Sequence, residues 1–194
     1  MEIKSLNIEG AFLAKNEVFE DERGYFSEWY SARNLDSSRI QFETRQANIS
    51  TSKKNVFRGI HFSIDPEGQS KVVSCANGAI VDYIVDLRND SPTYLQSETI
   101  FLTEGQGDSV HIPPGVGHGF LVRSNNATVV YLSSTTYMPE FEITVNAFDE
   151  TLGLDFGKVS KSEIIRSSRD ITAADFADLN LKRIFHYQGI KSDG

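Results

Sequence analysis

One stretch of the chain joins turn chemistry to a side chain able to trade protons: Gly107-Asp-Ser-Val-His-Ile-Pro113-Pro-Gly115-Val-Gly-His118-Gly-Phe120. The Pro-Pro-Gly turn ends one extended run and starts the next, with His118 aimed inward. His118 is then either a core histidine bonded to a backbone carbonyl or a group presented to a cavity. His61 stands between Ile60 and Phe62, and Lys71 precedes Val72 and Val73 as either an exposed strand lysine or an inward cation. Tyr131, Ser133, Thr135 and Tyr137 share strand parity, so both tyrosines face one side if the strand stays regular. Arg58 and His61 differ in parity and face opposite sides unless Gly59 carries a bulge. Asp86 and Arg88 alternate with Val85 and Leu87 and read as a structural pair. His111 lies on the strand face opposite to Val110 and Ile112.

The elements that must position these groups are short. Alternating runs at Ala79 to Leu87, Val110 to Ile112, Gly119 to Arg123 and Ala127 to Tyr131 read as strands. Asp65-Pro66-Glu67-Gly68, Asn89-Asp90-Ser91-Pro92 and Ser124-Asn125-Asn126 supply turns between them. Many short strands at this spacing make an all-β sandwich or jelly-roll barrel. Near the end, Phe176, Leu179 and Ile184 form a stripe that predicts a helix from Thr172 to Phe185, with Thr172 and Asp175 as an imperfect capping box. A shorter helix is expected around Ser31 to Leu35. The whole chain, 1–194, reads as one domain, with the barrel at about 20–156 and a helical appendage at about 160–190.

Composition narrows the function classes. With 39% hydrophobic residues the 194-residue chain has enough apolar material for a core. A net charge of -8 argues against a nucleic-acid binder. Clustered Arg and Lys can still reverse the field inside a cleft. The lone cysteine, Cys75, excludes an internal disulfide framework and reads as a buried inert thiol in a reducing compartment. The N-terminal residues lack the apolar run of a signal peptide, and no stretch approaches the ~20 apolar residues of a membrane span. A cytoplasmic protein with no membrane partner is expected.

The segment from Gly107 to His118 resembles the second cupin motif, whose closing Asn is Val122 here. The first cupin motif carries His-x-His and a Glu seven residues before a glycine. Counting back from Gly78, the Glu position holds Lys71, and upstream there is His61 but no His-x-His. An ammonium group repels a cation, so no metal is expected. The same charge could stabilise an enolate oxygen, a task that metals perform elsewhere.

Residues from about 21 to 156 resemble the dTDP-4-dehydrorhamnose 3,5-epimerases. The matching stretches include Asp21-Glu-Arg23-Gly-Tyr-Phe26-Ser-Glu28, Gln46-Ala-Asn48-Ile-Ser50, Arg58-Gly-Ile-His61, Gln69-Ser-Lys71, Val85-Asp86-Leu-Arg88, His118-Gly-Phe120, Tyr131 and Tyr137-Met-Pro139. Arg166-Ser-Ser-Arg169-Asp170 resembles the family's Ser-x-Lys-Asp, with Arg169 in place of lysine. The resemblance implies a cupin double-stranded β-helix, a homodimer, a dTDP-4-keto-6-deoxyhexose substrate and no cofactor. It makes His61 the base, Tyr131 the acid on the opposite sugar face, Asp170 the partner of His61 and Lys71 the group at the C4 oxygen. It assigns Arg23, Glu28, Gln46, Asn48, Arg58, His118, Glu142 and Arg169 to the nucleotide-sugar and Tyr137 to the thymine. Judged apart from it, Arg58 is a surface salt bridge, Asp170 a cap, Glu28 and Glu142 solvated carboxylates and Tyr137 an aromatic plug. Ser63 and Val72-Val73-Ser74 depart from the common pattern and look closer to branches serving unusual deoxysugars. Inversion at C3 or C5 alone, a sugar 3,4-ketoisomerase and a non-catalytic nucleotide-sugar-binding cupin are the alternatives.

Overall fold

The computed structural model describes residues 1–37 and 40–179. Two antiparallel sheets face each other as a jelly-roll barrel, the all-β architecture expected from the alternating runs. One has the order β1 (Glu2–Ser5), β2 (Phe12–Lys15), β10 (Asp108–Ile112), β7 (Lys71–Asn77), β12 (Asn126–Ser133), β5 (Gln46–Lys53). The other has the order β13 (Glu142–Thr144), β6 (Phe57–Ser63), β11 (Val116–Val122), β8 (Ala79–Asp86), β9 (Ser97–Thr103). A separate hairpin, β3 (Val18–Asp21) with β4 (Gly24–Ser27), pairs only with itself. The barrel thus begins before residue 20, because β1 and β2 extend the first sheet beyond β10.

Strand parity decides what points inward. Val73, Cys75, Ile80, Ile84, Val110, Ile112, Phe120 and Val129 meet between the sheets in one apolar core. Burial of side chains this size stabilises by about 1.5–3 kcal/mol each before entropy is counted. The outer face of the second sheet is covered by the chain after β13, where Val145, Leu152, Phe156 and Phe176 pack on Phe57, Ile60 and Tyr83. The outer face of the first is covered by Leu35 of α1 (Ala32–Ser37) and by Phe42, which pack with Phe12 and Leu132. The Pro113-Pro114-Gly115 turn joins β10 to β11 as read, with Gly115 at φ 77 and the Val116 amide donating to the Pro113 carbonyl at 3.3 Å. Positive φ at the third turn position is what glycine supplies there. Asp86 and Arg88 are the structural pair expected. Both are buried, and Ser91 and Thr93 also donate to the Asp86 carboxylate.

The expected C-terminal helix is corrected. Thr172 closes a one-turn helix, α2 (Ser168–Ile171), and Asp175 precedes a 3-10 turn at Phe176–Asp178. Phe176 is buried against Asp149, whose carboxylate accepts its amide at 2.7 Å, so that contact sets the local path in place of a continuous helix. The part of the expected helix from residue 180 onward lies outside the described residues. Among the described residues no helix is long and apolar enough to cross a membrane.

His111 lies opposite Val110 and Ile112 as expected, on the outer face, stacked on Phe12 at 4.5 Å and edge-on to Phe42. Burial pushes its imidazole down to about 4. The unfolded chain, with a histidine near 6.5, binds the extra proton first, so this contribution to stability is complete above about pH 6.5 and fades as pH falls toward 4. Wild type is therefore expected to lose roughly 2–3 kcal/mol between pH 7 and 4.5 through this residue. In urea titrations at the two pH values, His111→Phe should show a smaller drop than wild type; an equal drop refutes the assignment.

Candidate active site

His61 sits on β6 beside a bulge. Across β6 and β11, His118 pairs with His61 while Phe120 pairs with Arg58, so β6 carries one residue more than its neighbour over that interval. The extra residue resolves the parity conflict: Phe57, Ile60 and Phe62 face the outer core, leaving Arg58 and His61 on the barrel side. Gly59 holds the bulge at φ 131, and a Cβ there would stand 2.5 Å from the Gly119 Cα. Only glycine permits both the conformation and the approach.

The His61 Nε2 lies 2.7 Å from Oδ1 of Asp170, which is nearly fully buried on α2. Ser167 caps α2 by accepting the Asp170 amide, and its hydroxyl donates to Asp170 Oδ2 at 2.7 Å. The capping role that Asp170 itself was offered therefore falls to Ser167. Burial alone would raise the Asp170 carboxyl, but the hydrogen bonds from His61 and Ser167 outweigh it and hold it below the usual carboxylate range. An ionised Asp170 can only accept, so Nε2 carries a proton, and it is Nδ1 whose lone pair is free in the neutral ring. This is the electronic arrangement of a general base held by a carboxylate.

Lys71 opens β7 with the parity of Val73 and Cys75, so it points into the barrel, and it is 9% exposed. Burial pulls its ammonium down, and the Glu142 carboxylate works in the opposite direction. Among the described residues it makes no ion pair. Tyr131 faces inward from β12 and packs against the barrel core. Burial raises its phenol, the Glu142 charge adds to that, and Arg58 opposes it. The O–H therefore stays available through neutral pH.

Other expected residues join the same end. Asn48 pairs with Tyr131 across β5 and β12, and Gln46 pairs with Ser133, itself opposite Lys71. Arg58 donates to the Ser52 hydroxyl at 2.9 Å, and Arg169 donates to the Glu142 backbone carbonyl at 3.0 Å. His118 faces inward with Nε2 2.7 Å from Asp82 Oδ1. Tyr137 corrects the parity argument, because β12 ends at Ser133 and the ring lies in the following loop, 51% exposed. Its amide donates to the Gln46 side chain at 2.7 Å, which keeps the ring at this mouth.

Arg23 and Glu28 are not brought there within one chain. Arg23 caps the β3–β4 hairpin and binds Asp21, with its side chain 85% exposed. Tyr25 of that hairpin reaches the carbonyl of Ala76. Ala76 stands five residues along β7 from Lys71, about 17 Å at ~3.4 Å per residue. Glu28 is exposed and meets Asn34. Two residues of the site were not foreseen: Ser52 is one polar residue of an alternating strand, and Asp82 lies in a run buried on both faces. Ser167 stands in the matched Ser-Ser-Arg-Asp stretch, which gave it no role.

Among the described residues, no three His, Cys, Asp or Glu side chains stand close enough to hold a metal ion. Fold and site together define a jelly-roll barrel with a carboxylate-backed histidine on the barrel side of β6 and a buried lysine and a tyrosine turned inward from the facing sheet: the equipment for moving protons at carbon next to a carbonyl. The chain belongs to the dTDP-4-dehydrorhamnose 3,5-epimerase family, whose model matches residues 5–178. It is 38% identical to the dTDP-4-dehydrorhamnose 3,5-epimerase of Mycolicibacterium smegmatis, over 92% of this chain and 87% of that one. It is 41% identical to a dTDP-4-dehydrorhamnose 3-epimerase of Streptomyces niveus, over 80% and 76%. A Legionella pneumophila 3,5-epimerase solved with dTDP-4-keto-L-rhamnose superposes with TM-score 0.90 at 29% identity, covering 97% of this chain and 99% of that one. The family's members are isomerases, and the cupin barrel expected from the motifs is the fold that these proteins share.

Proposed function

We propose that the protein epimerises a dTDP-4-keto-6-deoxyhexose at C3 and C5 through an enolate. The observation that supports this reading is the His61–Asp170 pair on the barrel side of β6, with Lys71 and Tyr131 turned into the same barrel and both within the field of Glu142. A C4 ketone acidifies the hydrogens on C3 and C5. The His61 Nδ1 lone pair takes one of them, the C–H electrons move into the enolate, and the Lys71 ammonium balances the charge growing on the C4 oxygen. The Tyr131 phenol returns a proton from the opposite face, which inverts the carbon. Asp170 stays ionised and holds the ring. Gln46, Asn48, Arg58, His118, Glu142 and Arg169 contact the nucleotide-sugar, and Tyr137 stacks on the thymine. The sequence needs neither metal nor redox cofactor, since every step is a proton transfer. A second reading, inversion at C3 alone, is favoured by the relative from Streptomyces niveus. Proton NMR of dTDP-4-keto-6-deoxyglucose with the protein in deuterated water tests both. Deuterium at C3 and C5 with L-configured product supports the first, and exchange at C3 alone supports the second. No exchange, together with no binding of dTDP by calorimetry, overturns both.

The working form is a homodimer in the cytoplasm, built as one domain, in which the hairpin of one copy serves the site of the other. Phe19, Tyr25 and Phe26 leave the hairpin with exposed rings, and β5 is an edge strand whose inner row, Gln46 and Asn48, faces the cavity. An exposed apolar hairpin and an open strand edge are complementary. Arg23 and Glu28 would then arrive from the partner. Arg23→Ala and His61→Asn should each be nearly inactive. After mixing and re-equilibration they should recover about a quarter of wild-type activity, because half the dimers are mixed and each has one intact site. A monomer by sedimentation, or mixtures without recovery, would remove this arrangement.

A further inference from the structure

A second histidine–carboxylate pair lies beside the first. His118 and His61 are direct partners across β11 and β6, and both face the barrel. Each has its Nε2 at 2.7 Å from a buried carboxylate oxygen, Asp170 for His61 and Asp82 for His118. The second pair is the more enclosed: the His118 side chain is 10% exposed and that of Asp82 is 0%.

Asp82 lies between Ile80 and Ile84 on the inward row of β8, among the apolar side chains of the barrel core. Its Oδ2 has no partner among the described residues, so the carboxylate's side-chain partner there is His118 alone. Burying a carboxylate with half its acceptors unpaired costs several kcal/mol, and core packing alone calls for an apolar residue there. What the carboxylate does accomplish is to hold one ring. The bond to Nε2 fixes the tautomer and the plane of His118, and it leaves Nδ1 for whatever enters the cavity.

We infer that Asp82 is a positioning residue for the substrate site, acting through His118: the carboxylate on the inward row of β8 holds Nε2 and presents Nδ1 to a polar oxygen of the bound nucleotide-sugar. This rests on the reading that the cavity takes a dTDP-hexose. The oxygen belongs either to the nucleotide diphosphate or to the hexose, and the two are separable. If it belongs to the diphosphate, which only accepts, Nδ1 must carry a proton as well as Nε2, and Asp82→Asn weakens dTDP binding and raises KM. If it belongs to the hexose, dTDP affinity is kept and kcat and the exchange rate fall.

The expected loss in one of these measures is about ten- to a hundredfold, the worth of a hydrogen bond to a charged group. The decisive test is a double-mutant cycle by calorimetry and NMR exchange with Asp82→Asn, His118→Asn and the double variant. If Asp82 acts through the ring, Asp82→Asn has little further effect once His118 is gone. Equal losses on both backgrounds, or Asp82→Asn within twofold of wild type in both measures, overturn the inference. If Asp82→Asn does not fold, the ring nitrogens of His118 are read by 15N NMR in the wild-type protein. A proton on Nε2 supports the inference, and a bare Nε2 with the proton on Nδ1 alone overturns it. Wild-type protein that neither binds dTDP nor exchanges would refute the substrate reading instead, while the nitrogen spectrum still reports on Asp82.

Discussion

In deuterated water, His61→Asn is expected to leave the C3 and C5 hydrogens of a dTDP-4-keto-6-deoxyhexose in place, with exchange slower by ~10²–10⁴-fold or more. Asparagine matches the imidazole only as far as Nδ1, falling short of Asp170, and it has no lone pair basic enough to take a proton from carbon. Because enolate formation starts every later step, inversion and exchange fall together. The bonds from Ser167 keep Asp170 partnered, so the fold should survive, and circular dichroism with a dTDP titration checks this. A variant exchanging at the wild-type rate would show that another group is the base. His118 would then be the next candidate, since its ring is held the same way.

Tyr131→Phe is expected to separate two events that His61→Asn abolishes together. The base remains, so deuterium still enters from the face of His61. The proton donor on the other face is gone, so the L-configured product is lost by ~10²–10⁴-fold. Burial keeps the Tyr131 phenol protonated, and Arg58 is placed to favour the phenolate once the proton has left. Exchange with retention is the signature. Product of normal configuration at the normal rate would move the donor role to Tyr137 or a bound water. The pair of variants also reads how many carbons react, because each carbon reports its own deuterium.

Some of this was legible along the chain and some was not. The strands, the Pro113-Pro114-Gly115 turn and the outward His111 follow from alternation and turn chemistry, which are local properties. The family resemblance supplied His61, Lys71, Tyr131 and Asp170 as one set; the fold pairs His61 with Asp170 and turns Lys71 and Tyr131 into the barrel. The late helix was misread because the Phe176 stripe fits a helix as well as a 3-10 turn pinned by Asp149. Tyr137 kept its place for a reason other than parity, through Gln46.

What the sequence determined by itself is the barrel and the identity of the reactive groups, since each is written in neighbouring residues or in motifs of fixed spacing. The meeting of those groups belongs to the tertiary structure. His61 and Asp170 are 109 residues apart and meet only because the chain after β13 folds back over the second sheet. Gly59 needed its bulge, yet the reason is Gly119 on the adjacent strand, which no local pattern reveals. Asp82 was invisible because β8 is buried on both faces: alternation marks an inward polar residue only when the other face meets water. The hairpin bearing Arg23 and Glu28 sits at the far end of β7, since a strand's length separates what a list of motifs places side by side.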